Sequence, residues 1–287
     1  MTTSPGTATQ TGRTTQATRI SDRTTQSTHT THPTPTFAVP DGAAPGPLNL
    51  LGAELGRLLN LRSTWGYIAA MLAFLVGLPV LMWLGTRGGP AELMYEPTFP
   101  QVLLGADIVV IIAMVFAAAG SASDISGRRV AFGYLTAGTR PGVHVARLAA
   151  QVTIVAATIL AGVAIACGLL AAVGALVPED AGTAAATIGI LLLWTAIGSA
   201  VGMLVPVTAI AVGLPIAWIM VIEIAVSTVP LEFLRTLSTY LPWVSSRQLI
   251  GMMDIGVTDL HAGIVLAAWS VAIIGGGILV AARRDVK

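Results

Sequence analysis

The chain contains six apolar runs, at residues 65–86, 102–122, 148–177, 184–205, 207–229 and 262–282, each at least 21 residues long. At 1.5 Å per residue, 21 helical residues rise about 31 Å, against a hydrocarbon core of about 30 Å. Each run is therefore expected to cross a bilayer as a helix, which makes the fold an all-α integral membrane protein. The third run, 30 residues long, exceeds what a bilayer needs and is expected to project at its cytoplasmic end.

Composition agrees with this reading. Charged residues make up 10% of the chain and hydrophobic ones 54%, with a mean hydropathy of +0.80, whereas soluble domains carry roughly 25% charged residues. Cys167 is the single cysteine and lies in an apolar run, so a disulfide-stapled secreted module is excluded and an inert buried thiol is expected. A net charge of +1 provides no field for nucleic acid. Fourteen of the fifteen basic residues are Arg and the only Lys is Lys287, so the chain has no P-loop of the GxxxxGK[ST] kind.

Three regions follow. Residues 1–46 hold fifteen Thr before position 37 and few large apolar side chains, the composition of a disordered tail. This tail has no apolar h-region of a secretory signal and is expected to stay in the cytoplasm. Residues 47–64 place Leu51, Leu55, Leu58 and Leu59 at helical spacing, with Glu54, Arg57 and Asn60 on other faces. An amphipathic helix lying in the membrane interface is expected there, with Arg57 and Arg62 available to lipid headgroups; a cytosolic helix covering a soluble partner is the other reading. Residues 65–287 form the six-span membrane domain.

Twelve of the fifteen basic residues fall on the side of the tail, counting Arg128, Arg129, Arg140 and Arg147 after the second run and Arg283, Arg284 and Lys287 at the end. Only Arg87, Arg235 and Arg247 fall on the other side. The bias of basic residues toward the cytoplasm then puts both termini there, as in a multi-pass protein of a bacterial plasma membrane. The basic loop from Ser123 to about Arg147 interleaves Phe132, Tyr134 and Leu135 with its charges. It suits either a short helix docking on another protein or simple positive-inside ballast. The segment from Pro230 to His261 is too apolar for a solvated loop and too charged for a span, so short helices folded back into the outer interface are expected. No internal repeat is evident, with Pro79, Pro206 and Pro215 punctuating different places.

Two acids lie inside spans, Asp107 in the second and Glu223 in the fifth, where carboxylates are costly and function is the default expectation. Both fall roughly 8 to 9 Å below the outer boundary at helical rise. Either they share a water-accessible vestibule on a translocation path, or each is satisfied locally. His29 and His32 lie in the tail, His144 in the cytoplasmic loop and His261 outside, so no metal-ligand cluster emerges. An intramembrane protease pairing Ser199 with His261 is disfavoured because the two sit toward opposite ends of their spans. Gly198 and Gly202 form a GxxxG, read as ordinary packing within the bundle.

In order, an interfacial helix ending in RLLNLRSTW, six spans, a basic loop after the second and an amphipathic outer segment before the sixth resemble permeases of the type-2 ATP-binding-cassette exporter family. The resemblance covers residues 48–287 and is most specific at SDISGRRVAFGYLTAGTRPGVHVARL. There Asp124, Gly127, Leu135, Arg140 and Arg147 fall on the family's pattern, with Arg128 and Arg129 between them. The resemblance implies a subunit without catalysis of its own. It implies two such subunits around the path, and a separate P-loop ATPase that binds ATP and Mg and docks on the loop after the second span as a coupling helix. It also implies that the second and fifth spans line the path, where Asp107 and Glu223 would favour a cationic or amphipathic cargo. The rival expectation is an ATP-independent carrier using those carboxylates.

Overall fold

The computed structural model describes residues 46–87, 89, 95, 97–127 and 139–284. They belong to one compact unit, Gly42–Lys287. The Thr-rich tail expected over residues 1–46 lies outside the described residues except for Gly46. Among the described residues the secondary structure is helical, apart from an isolated bridge between Thr98 and Val177. Lipid supplies no partners for backbone N–H and C=O groups, so a chain this apolar must satisfy them within its own helices.

Six helices are long and apolar enough to cross a membrane: α2 Arg62–Thr86, α4 Ala106–Ser126, α5 Arg140–Ala172, α6 Ala181–Leu204, α7 Thr208–Thr228 and α10 Asp259–Arg283. The short helices are α1 Pro47–Leu59, α3 Phe99–Val102, α8 Glu232–Ser238 and α9 Pro242–Leu249. Two boundaries depart from expectation. The amphipathic helix stops at Leu59, five residues early, because the Asn60 amide caps it by donating to the Gly56 carbonyl (2.8 Å) and Leu61 is extended. Arg62 consequently opens α2. The third span begins at Arg140, eight residues early, and ends at Ala172; its 33 residues rise about 50 Å, so it is longer than a bilayer core.

At the centre α6 packs on α4, with α10 against α6, α2 against α5 and α4, and α7 against α4 and α6. The close approach of α4 and α6 depends on the GxxxG pair. A Cβ on Gly198 would stand 2.6 Å from the Met114 carbonyl oxygen, and one on Gly202 would collide with that of Ala118. Fully buried Met71, Leu75, Met114, Ile159 and Leu191 fill the interior. One polar tie crosses it: the Ser121 and Ser199 hydroxyls are 3.0 Å apart, Ser121 donates to Gln151 Oε1 (3.4 Å), and Gln151 Nε2 donates to the Ala117 carbonyl (3.1 Å). This joins α4, α5 and α6 through buried polar groups that satisfy one another in an apolar core.

Arg57, Arg147, Arg283 and Arg284 all fall at one end of the bundle, hereafter the Arg-rich end, with α1 and the C-termini of α4, α6 and α10. The residues 229–258 lie toward the other end, where α8 and α9 form.

Candidate functional site

At the Arg-rich end the site begins with the register of α1. Glu54 stands three residues after Leu51 and four before Leu58, so it shares the stripe that docks on α5 and does not face away from it. Arg57 follows it inward. The expectation that both acid and base sit on other faces, with Arg57 offered to lipid headgroups, is corrected by these contacts; Arg62 is exposed.

Arg57 grips Asp124 of α4 with two nitrogens, Nη1 to Oδ1 at 3.1 Å and Nη2 to Oδ2 at 2.7 Å, and donates from Nε to Glu54 Oε2 at 2.9 Å. Arg147 of α5 approaches the same two acids, its Nε 3.3 Å from Asp124 Oδ2 and its Nη2 3.6 Å from Glu54 Oε1. Two carboxylates and two guanidiniums thus neutralise one another. The side chains of Asp124 and Arg147 are each 3% exposed, so neither charge has water to fall back on. Burial works against the Arg57 cation, but Asp124 and then Glu54 outweigh it, and its pKa lies above the ordinary guanidinium value. One charge-assisted hydrogen bond, from Arg57 Nη1 to Asp124 Oδ1, anchors the set, and the Arg57 Nη2 and Arg147 Nε approaches to Asp124 are charge contacts.

Three of the residues singled out for coupling lie outside the described residues: Arg128, Arg129 and Leu135. The others bracket that segment. Asp124 is in the last turn of α4, Gly127 caps it by donating to the Ser123 carbonyl (2.9 Å), Arg140 opens α5, and Arg147 lies two turns further on.

Toward the opposite end, α9 re-enters the bundle. The Trp194 ring, midway along α6, is edge-on to Trp243 at 5.5 Å, and Trp269, midway along α10, donates to the Tyr240 carbonyl at 2.9 Å. The helix therefore begins among the spanning helices, beside the middle of α6 and α10. A helix N-terminus there exposes N–H groups that lipid cannot satisfy. Pro242 has none to offer, and the next two are taken by Glu223: its Oε2 accepts from Trp243 N at 2.8 Å and from Val244 N at 3.2 Å. Its Oε1 accepts from Trp218 Nε1 at 2.6 Å. Trp218 and Glu223 bound a π-helical turn in α7, whose wider pitch aligns residues five apart where an α-helix aligns those three or four apart.

The other end of α9 is held by Asp107. Its Oδ2 is 2.5 Å from Arg247 Nη2, and the same guanidinium lies 4.7 Å from the centre of the Trp243 ring. Glu223 is fully buried, whereas the Asp107 side chain is half exposed beside a cleft of about 20 Å³ that Glu223 does not line. The two acids hold the same helix, each through partners of its own.

Ser199 belongs to the polar tie with Ser121, while His261 Nε2 lies 3.2 Å from the Thr239 carbonyl; the two belong to different clusters. Sequence reading missed Arg247, Trp218 and the N–H groups of α9 as partners of the acids. The available signal was the coincidence of carboxylates inside spans with an outer segment, LPWVSSRQL, too apolar to remain in water. No family model, curated protein or solved structure matches this chain.

Proposed function

We propose that this multi-pass membrane protein is the permease subunit of an ATP-driven exporter, with a second permease subunit completing the path and a separate P-loop ATPase supplying the drive. One observation carries the reading. Glu54, Arg57, Asp124 and Arg147 clamp α1 to the two helices that enter and leave the segment 127–139. A force applied to that segment by a docked ATPase would reach α1, α4 and α5 together, because an uncompensated buried charge opposes their separation. Nucleotide can move a membrane domain only through contacts that differ between its two states, and in this reading the clamp on α1, α4 and α5 is where they would change. The cargo class in this reading is a hydrophobic or amphipathic small molecule or a lipid. Both termini are cytoplasmic, and α4 and α7 border the path, with Asp107 and Glu223 shaping its far end by holding α9.

The test is co-purification. The full chain, expressed with its native genomic neighbours, is extracted in mild detergent and its stoichiometric partners are identified by mass spectrometry. A P-loop ATPase is expected with the wild type and is lost when Arg128 and Arg129 are both changed to Glu, with membrane insertion intact. Repeated recovery of the chain without an ATPase, together with transport driven by a proton gradient, overturns the reading in favour of a carrier.

A further inference from the structure

Between α6, α7 and α10 runs a cavity of about 350 Å³ whose wall has no polar surface. Trp194, Ile197, Val201 and Leu204 form its α6 side, Leu214 and Trp218 its α7 side, and Trp269 and Ile273 its α10 side, with Pro242 of α9 at one end. The volume lies in the range of small-ligand sites. Its shape follows from the register along α6: ten residues separate Trp194 from Leu204, about 15 Å at helical rise, which is half of the hydrocarbon core. The α6 wall of the slot therefore runs along the span axis for about one leaflet's depth, with Pro242 and Trp218 lining the part nearer mid-bundle.

Toward the Arg-rich end the slot is lined by Leu204 and Val205, and a cation is bound to the backbone there. Arg284 donates from Nη1 to the Met203 carbonyl (3.2 Å) and from Nη2 to that of Leu204 (2.5 Å), the last carbonyls of α6. A guanidinium has five N–H donors, so this arrangement fixes the group on the backbone of Leu204, a residue that lines the slot, and leaves donors for an anion. An apolar slot of one leaflet's length with a guanidinium held at its Arg-rich end is complementary to an acyl chain bearing an anionic headgroup.

We propose that this slot binds one acyl chain of an anionic phospholipid from the leaflet at the Arg-rich end, with the lipid phosphate on Arg284. The site is independent of whether an ATPase partner exists.

The experiment uses the full chain in vesicles of phosphatidylcholine containing either brominated-chain phosphatidylglycerol or brominated-chain phosphatidylcholine at the same mole fraction. Bromine quenches nearby indoles, and Trp194, Trp218 and Trp269 line the slot. The expected result is at least twofold stronger quenching by the phosphatidylglycerol at low mole fraction. That headgroup difference disappears in Arg284→Gln and in Leu214→Phe, which fills the slot from a half-exposed position where folding is not at stake. Leu81→Phe, on the exposed face of α2, retains it. Equal quenching by the two lipids in the wild type overturns the proposal, as does a difference that survives both slot variants.

Discussion

The carboxylate of Glu223 sits 2.8 Å from the backbone nitrogen of Trp243, so that an acid on one spanning helix caps the N-terminus of another helix twenty residues later. A negative group at that position satisfies two free N–H groups and meets the positive end of the α9 dipole. Glu223→Gln keeps the shape but leaves a single acceptor oxygen facing three donors. Hydrogen bonds to a charged group are worth about 1.5–3 kcal/mol, so amides of α9 are expected to exchange with deuterium more than tenfold faster. Amides of α4 and α6 should be unaffected. Unchanged exchange at Trp243 and Val244 would show that the cap contributes nothing.

Asp107 holds the same helix less firmly. Its side chain is half exposed, and pairs with one exposed partner are worth about 0.2–1 kcal/mol. Asp107→Asn is therefore expected to lower Tm less than Glu223→Gln does. In a double-mutant cycle with Arg247→Gln, the coupling energy should not exceed about 1 kcal/mol.

At the Arg-rich end the ranking is set by burial. Arg147→Ala removes a fully buried cation from beside the buried Asp124 and should cost about 3–5 kcal/mol, read as a fall in Tm or in the denaturant midpoint. Combining it with Asp124→Asn should restore part of that loss, because the surviving pair of Glu54 and Arg57 is again neutral. If the double variant is as unstable as the sum of the two single variants, the four groups do not act as a unit.

The Arg57 contribution has a defined pH behaviour. A cation whose folded pKa is raised stabilises fully below its unfolded pKa and loses that stabilisation only as pH rises through the folded value. The Tm penalty of Arg57→Ala should accordingly be the same at about pH 6 and about pH 9, both far below the guanidinium range. A penalty that vanishes between those two values would mean that Arg57 is not the source.

Gly202 tests the packing of α4 on α6. Any Cβ there meets the Ala118 backbone, which cannot move as a side-chain tip can, so Gly202→Val is expected to cost about 1–3 kcal/mol. Gly52→Ala on α1, where a Cβ meets nothing, serves as the control and should be neutral or slightly stabilising.

The sequence by itself determined the six spans, since lipid demands about twenty apolar residues per crossing and that requirement is local. It also located the short helix before the first span and the far-end segment that is neither loop nor span. Two acids stood out as too costly to be incidental. Only the tertiary structure decided what they do. Glu223 and its partners Trp243 and Val244 are about twenty residues apart, and no period of 3.6 along one helix reports a contact between two. The inward turn of Glu54 likewise depended on which side of α1 met α5, because at position 54 the spacing to Leu51 and Leu58 allowed an acid on the docking stripe once Asp124 and Arg147 supplied a neutral set. Apolar periodicity reports where a chain leaves water, whereas the pairing of buried charges is a property of which helices become neighbours, and that is settled only when the bundle closes.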